Sequence, residues 1–115
     1  SRLEALAHDL PIVLTGDFNC NPWSAPYRRL LKRQFVDSYR AAGNADSVHS
    51  STAHLYMGDD YFSLDFGDQL FWRVDWILAR GAKQLQVSSS TIVKDAMPPT
   101  YPSDHYPMVS EMTFY

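Results

Sequence analysis

Ile12-Val13-Leu14-Thr15-Gly16-Asp17-Phe18-Asn19 is an apolar run that meets a glycine, then an acid and an amide. The run Ile12 to Thr15 reads as a strand buried on both faces. Gly16 ends it, and the polar stretch Asp17 to Pro22 forms a loop. Upstream, Ser1 and Glu4 have capping-box spacing, and Leu3, Leu6, Ala7 and Leu10 follow the helical period until Pro11 stops it. Downstream, Ser24 is an N-cap for a helix running to about Arg33, with Tyr27, Leu30 and Leu31 inward and Arg28, Arg29 and Lys32 outward. Phe35 to Ala42 reads as a second short helix closed by Gly43 and Asn44, and Asn44 to Ser51 as polar loop. Strands are expected at Thr52 to Tyr56, at Val74 to Leu78, through the alternation Leu85, Val87, Ser89, Thr91, Val93, and from Met108 to Phe114.

Length and composition narrow the choice. The 115 residues suffice for one domain and are too few for two. A hydrophobic content of 45% supports a packed core. A net charge of −3 and a pI of about 5.7 argue against a broad basic surface that grips nucleic acid by charge alone. The single cysteine, Cys20, cannot form an internal disulfide and reads as a small buried hydrophobe. No run is long enough to span a bilayer.

Three strings carry the chemistry: Gly16-Asp17-Phe18-Asn19, Arg73-Val74-Asp75-Trp76 and Ser103-Asp104-His105. Each sets acidic, amide or imidazole groups where an apolar run meets a polar edge. Asp17 and Asn19 are alternate residues of an extended chain, which point the same way. A plain Asx turn is the competing reading there. Asp75 lies inside an apolar run, where an unpaired carboxylate is costly. Arg73 is two positions away but His105 is the better partner, because an Asp–His pair fixes the imidazole tautomer and raises its basicity. Asp104 and His105 follow Pro102-Ser103 on a loop, where adjacent side chains diverge, one to metal and one to substrate. His54 is equally open to a structural and a substrate role, and His8 and His49 read as surface. Arg28, Arg29, Lys32 and Arg33 read as a solvated basic face. Tyr56, Tyr61, Phe62, Phe66, Phe71 and Trp72 cluster in the least regular segment and read mainly as packing.

In this order the strings resemble those of the endonuclease/exonuclease/phosphatase superfamily, the group of DNase I and the abasic-site endonucleases. Residues 16–19 resemble its GDFN motif, residues 73–77 its R-[IV]-D-[YW]-I strand and residues 103–107 its SDH-x-P motif. The resemblance implies a DNase I-like four-layer α/β sandwich, two mixed β-sheets face to face with helices outside. It implies hydrolysis of a phosphodiester or phosphomonoester by activated water with Mg2+ or Mn2+. Asp17 would activate or orient the water, Asn19 would hold it or a phosphate oxygen, and Asp104 would bind the metal. His105, oriented by Asp75, would stabilise or protonate the phosphoryl group. The substrate would be nucleic acid, an inositol phosphate or a phospholipid headgroup.

Members of that family also carry an Asn and a metal-binding Glu early in the domain, then a further His before GDFN. Nothing before Asp17 supplies them, since Glu4 sits on a helix. Residues 1–115 are therefore expected to be the C-terminal portion of such a domain, with a missing N-terminal half as partner and little or no activity alone. The alternative is a non-catalytic binding or assembly module that keeps part of the fold.

Overall fold

The computed structural model describes Arg2, Ala5, residues 10–54, Tyr56 and residues 73–81, 84–95 and 100–115. Expectations for most of the first helix, for residues 57–72 with Tyr61, Phe62, Phe66, Phe71 and Trp72, and for His8 lie outside the described residues. In chain order the elements are β1 (Ile12–Asp17), α1 (Ala25–Lys32), β2 (Val36–Asp37), α2 (Ser38–Ala41), a 3-10 turn (Val48–Ser50), β3 (Asp75–Arg80), β4 (Leu85–Ile92) and β5 (Met108–Phe114). β1, β3 and β2 form one sheet with β3 in the centre, and β4 and β5 form another. The fold is a small mixed α/β unit. Every strand pairing among the described residues is antiparallel.

The β1–β3 register sets Asp17 opposite Asp75 and Gly16 opposite Trp76. Two strands far apart in sequence thus end their apolar runs at one level, each with a carboxylate. Gly16 has φ +150°, and an added Cβ would meet nothing within 4 Å, so conformation rather than space calls for glycine. One face of this sheet packs the core of Ile12, Tyr27, Phe35, Trp76 and Leu78, flanked by Leu14, Phe18, Cys20 and Leu30. Phe18 stacks on the Trp76 indole at 4.4 Å between centroids, and Tyr27 meets it edge-on at 5.1 Å. Aromatic pairs of this kind add about 0.5–1.5 kcal/mol beyond their area.

Burial on both faces is not what β1 has. Val13 is 47% exposed and Thr15 is exposed as well. The core covers only the Ile12 and Leu14 side, and β1 pairs only with β3 among the described residues. Phe35 to Ala42 is likewise not one helix. Val36 and Asp37 pair with β3, and the helix starts at Ser38 with the Asp37 side chain accepting from the Tyr39 amide. Among the described residues of the strand expected at Thr52 to Tyr56, the pairing is an isolated bridge between Ala53 and His105. Alternation in β4 breaks at a bulge between Val87 and Ser89, so Ser90 is buried and Thr91 exposed. Leu31, expected inward, is 37% exposed.

Arg73 organises the interior. It is fully buried, and its guanidinium donates from Nη2 to Asp37 Oδ2 at 2.5 Å and from Nε to Asp46 Oδ1 at 2.6 Å. Tyr27 Oη donates to Asp37 Oδ2 at 2.7 Å, and the Arg73 carbonyl accepts the Trp76 indole N–H at 2.8 Å. Tyr39 lies against the guanidinium, 4.8 Å from its ring centroid. A second polar link runs through the hydroxyls of Ser38, Ser110 and Ser90, at 2.7 and 2.8 Å, and joins α2 to β4 and β5.

Truncating Arg73 leaves Asp37, 3% exposed, without its counter-charge and leaves Asp46, 9% exposed, with Arg40 alone. Arg73→Ala is expected to cost about 3–5 kcal/mol in urea unfolding, the range for breaking a buried ion cluster. A loss under about 1 kcal/mol would remove Arg73 from this role. Burial by itself would raise the Asp46 carboxyl, but the hydrogen bonds and charge of Arg73, then of Arg40, outweigh it and hold the group below its usual value. Its stabilising contribution is therefore present above about pH 4 and lost as pH falls through the depressed value. Acid titration of stability should show this, and Asp46→Asn should flatten the profile there.

Candidate active site

Asp17 ends β1, Asp75 begins β3, and Asp104 and His105 lie on the segment entering β5. The segment is anchored by backbone bonds: the His54 amide donates to the Asp104 carbonyl at 2.8 Å and the Tyr106 amide to the Thr52 carbonyl at 2.7 Å. His105 Nδ1 and Asp75 Oδ2 are 2.6 Å apart. Against a carboxylate Nδ1 carries the proton, which leaves Nε2 facing outward. Nε2 is 4.0 Å from Asp17 Oδ2 and 4.0 Å from Asp104 Oδ1. One donor atom each from Asp17, Asp75 and His105 lies within 4.8 Å of the others. An open groove of about 520 Å3 runs past this cluster, lined by Thr15, Asp17, Asp75, Ile77, His105 and Met108.

Asp75 is paired with His105 and not with Arg73, whose guanidinium is taken by Asp37 and Asp46. Asp104 is beside the imidazole but outside the tight trio. Asn19 is exposed, and its backbone amide donates to Asp17 Oδ1 at 2.8 Å. With φ +51° the chain has already turned there, so strand alternation does not carry its side chain alongside that of Asp17. The local geometry is an Asx turn, and the Asp17 carboxylate reaches the cluster from within it. His54 is 1% exposed and stacks on Tyr106 at 4.2 Å, with Tyr101 at 5.1 Å. Burial lowers its pKa and outweighs the Asp104 charge, which favours the neutral ring in this packed position. His49, Arg28, Arg29, Lys32 and Arg33 are exposed. Sequence reasoning missed Asp37 and Asp46. Their signal was an arginine beside an apolar run, which needs acidic partners, but nothing in the order of residues says which acids.

Burial lowers the His105 pKa, and the hydrogen bond and charge of Asp75, then the charges of Asp104 and Asp17, overturn that and raise it. The site is an imidazole surrounded by three carboxylates. That arrangement favours the protonated imidazole and offers oxygens that can hold a cation.

The endonuclease/exonuclease/phosphatase family model matches residues 1–105. The chain belongs to that family. Members of this phosphoesterase-type superfamily are generally hydrolytic and typically depend on a divalent metal. No curated protein matches the chain. Among solved structures it is similar to a functionally unknown conserved protein from Enterococcus faecalis V583, with a TM-score of 0.73 and 22% identity. That match covers 98% of this chain and 42% of the other, so the chain spans well under half the length of that protein, and the likeness is one of fold. Among the described residues no helix is long and apolar enough to cross a membrane.

A raised imidazole pKa has a definite sign. The contribution of His105 to stability is full below its unfolded value of about 6.5 and is lost as pH rises through the raised folded value. NMR titration of the metal-free protein should give a His105 midpoint above 6.5, and Asp75→Asn should lower it. A midpoint unmoved by Asp75→Asn would break the link between the two groups.

Proposed function

We propose that the chain is the C-terminal portion of a divalent-metal-dependent phosphoric ester hydrolase, and that its two sheets are inner layers of a DNase I-like four-layer sandwich. The observation that carries this reading is the convergence of Asp17, Asp75 and His105, with Asp104 beside them, from the ends of three apolar runs. The short length of the chain against the similar Enterococcus structure supports the placement within a longer domain.

The donor set fits a hard cation. Asp104 and Asp17 are half-exposed carboxylates with side-chain exposures of 46% and 42%, and oxygen donors suit Mg2+ or Mn2+. Asp104 would hold the ion, which when bound supplies positive charge for the non-bridging phosphate oxygens. Asp17 orients the attacking water and draws its proton, since its carboxylate is exposed and already fixed by the Asn19 amide. Asn19 offers its side-chain amide to that water or to a phosphate oxygen. His105 keeps Nδ1 on Asp75 and presents a protonated Nε2 to the phosphoryl oxygens as charge develops there. The substrate is a phosphate ester: nucleic acid, an inositol phosphate or a phospholipid headgroup.

Residues 1–115 alone are expected to show little or no Mg2+-dependent hydrolysis, because the early metal-binding Glu of the family is not among them. The protein carrying an upstream half should turn over at least one of plasmid DNA, an abasic duplex, inositol phosphates or sphingomyelin. In it, Asp104→Ala and His105→Ala should each lower the rate by about a hundred- to a thousandfold, as for loss of a single oxyanion donor. Full activity in both variants would remove the proposed roles.

A further inference from the structure

We propose that Thr52 is the positioning residue that sets the Asp75–His105 pair, tying the strand that carries the acid to the loop that carries the imidazole. Thr52 is fully buried. Its Oγ1 accepts from two consecutive amides, Val74 at 3.1 Å and Asp75 at 3.2 Å. Its carbonyl accepts from the Tyr106 amide at 2.7 Å, and the next residue, Ala53, forms the isolated bridge with His105. One residue therefore holds the backbone of Asp75 through its side chain and the backbone beside His105 through its main chain.

The position is one where a fixing contact matters. Asp75 is the first residue of β3, and strand ends open more readily than strand centres. His105 is on a loop, joined to segment 52–54 by a single bridge. A 2.6 Å contact between side chains from two such places depends on both backbones holding their relative position. A hydroxyl oxygen with two lone pairs can accept both amides, whereas an isosteric valine would take this acceptor from a buried N–H and a partly buried one. The catalytic consequence of this positioning rests on the phosphoesterase reading, but the positioning itself can be measured without turnover.

The test uses 15N-labelled residues 1–115 without metal. A hydrogen-bonded His105 Nδ1–H should give a downfield proton resonance in the native chain and in Thr52→Ser, which keeps the hydroxyl. In Thr52→Val the resonance should vanish, and the Asp75 amide should exchange about ten- to a hundredfold faster, the effect of losing its hydrogen bond. Amides of the β4–β5 ladder should keep their native protection. Retention of both the resonance and Asp75 protection in Thr52→Val would overturn the proposal. So would equal loss of protection across the whole chain, which marks a general stabiliser. Should Thr52→Val fail to fold, the native chain decides. The Asp75 and Tyr106 amides and the His105 Nδ1–H must then share one opening rate, and independent rates overturn the idea. Absence of hydrolysis in the longer protein would sink the functional reading and leave these outcomes unchanged.

Discussion

A guanidinium shut away from water must be matched by carboxylates, and Arg73 is matched by two. Asp37 comes from the end of β2 and Asp46 from the loop after α2, and both are held within 2.6 Å. The Tyr27 hydroxyl and Tyr39 amide take further lone pairs of Asp37, so α1 and α2 are fixed to the same point. Such clusters are poor sources of net stability, because desolvation of the ions offsets most of their attraction. What the cluster contributes is position. Arg73 stands two residues before Asp75, and its carbonyl also receives the Trp76 indole. The start of β3 is thereby held from both its polar and its aromatic side.

That arrangement determines the electrostatics of the site. Arg73 is committed to Asp37 and Asp46, and the Asp75 carboxylate turns to His105. Asp17 and Asp104 then sit equidistant from the free imidazole nitrogen. Three acids around one imidazole favour its protonated form, and their oxygens are of the kind that can hold a hard cation. The β1–β3 register puts Asp17 level with Asp75 at one end of the sheet, and the contact of His105 with Asp75 adds the imidazole.

Much of this was legible in the residues. The apolar runs marked β1, β3 and β5, and the acids at their ends marked where chemistry collects. A carboxylate inside an apolar run demanded a partner, and an imidazole, which such a partner fixes in one tautomer, answered that demand. Other features were illegible for physical reasons. The Ile12 to Thr15 run has the composition of a doubly covered strand, but coverage depends on what packs there, and Val13 lies open. Phe35 to Ala42 carries helical spacing, yet pairing of Val36 and Asp37 with β3 overrides it. The bulge in β4 shifts the buried phase from Thr91 to Ser90, a change that no period-2 pattern encodes. Asp37 and Asp46 are ordinary surface acids by sequence, and only tertiary pairing distinguishes them.

The central claim is that Asp17, Asp104 and His105 share one cation-binding cleft. Mn2+ titrated into the 15N-labelled chain tests it directly, since a paramagnetic ion broadens amide signals near it whatever the catalytic competence of the protein. The account predicts broadening strongest at Asp17, Asp104 and His105 and falling with distance from them, and its loss in a variant with Asp17→Asn and Asp104→Asn. Broadening centred elsewhere, or unchanged in that variant, would contradict it.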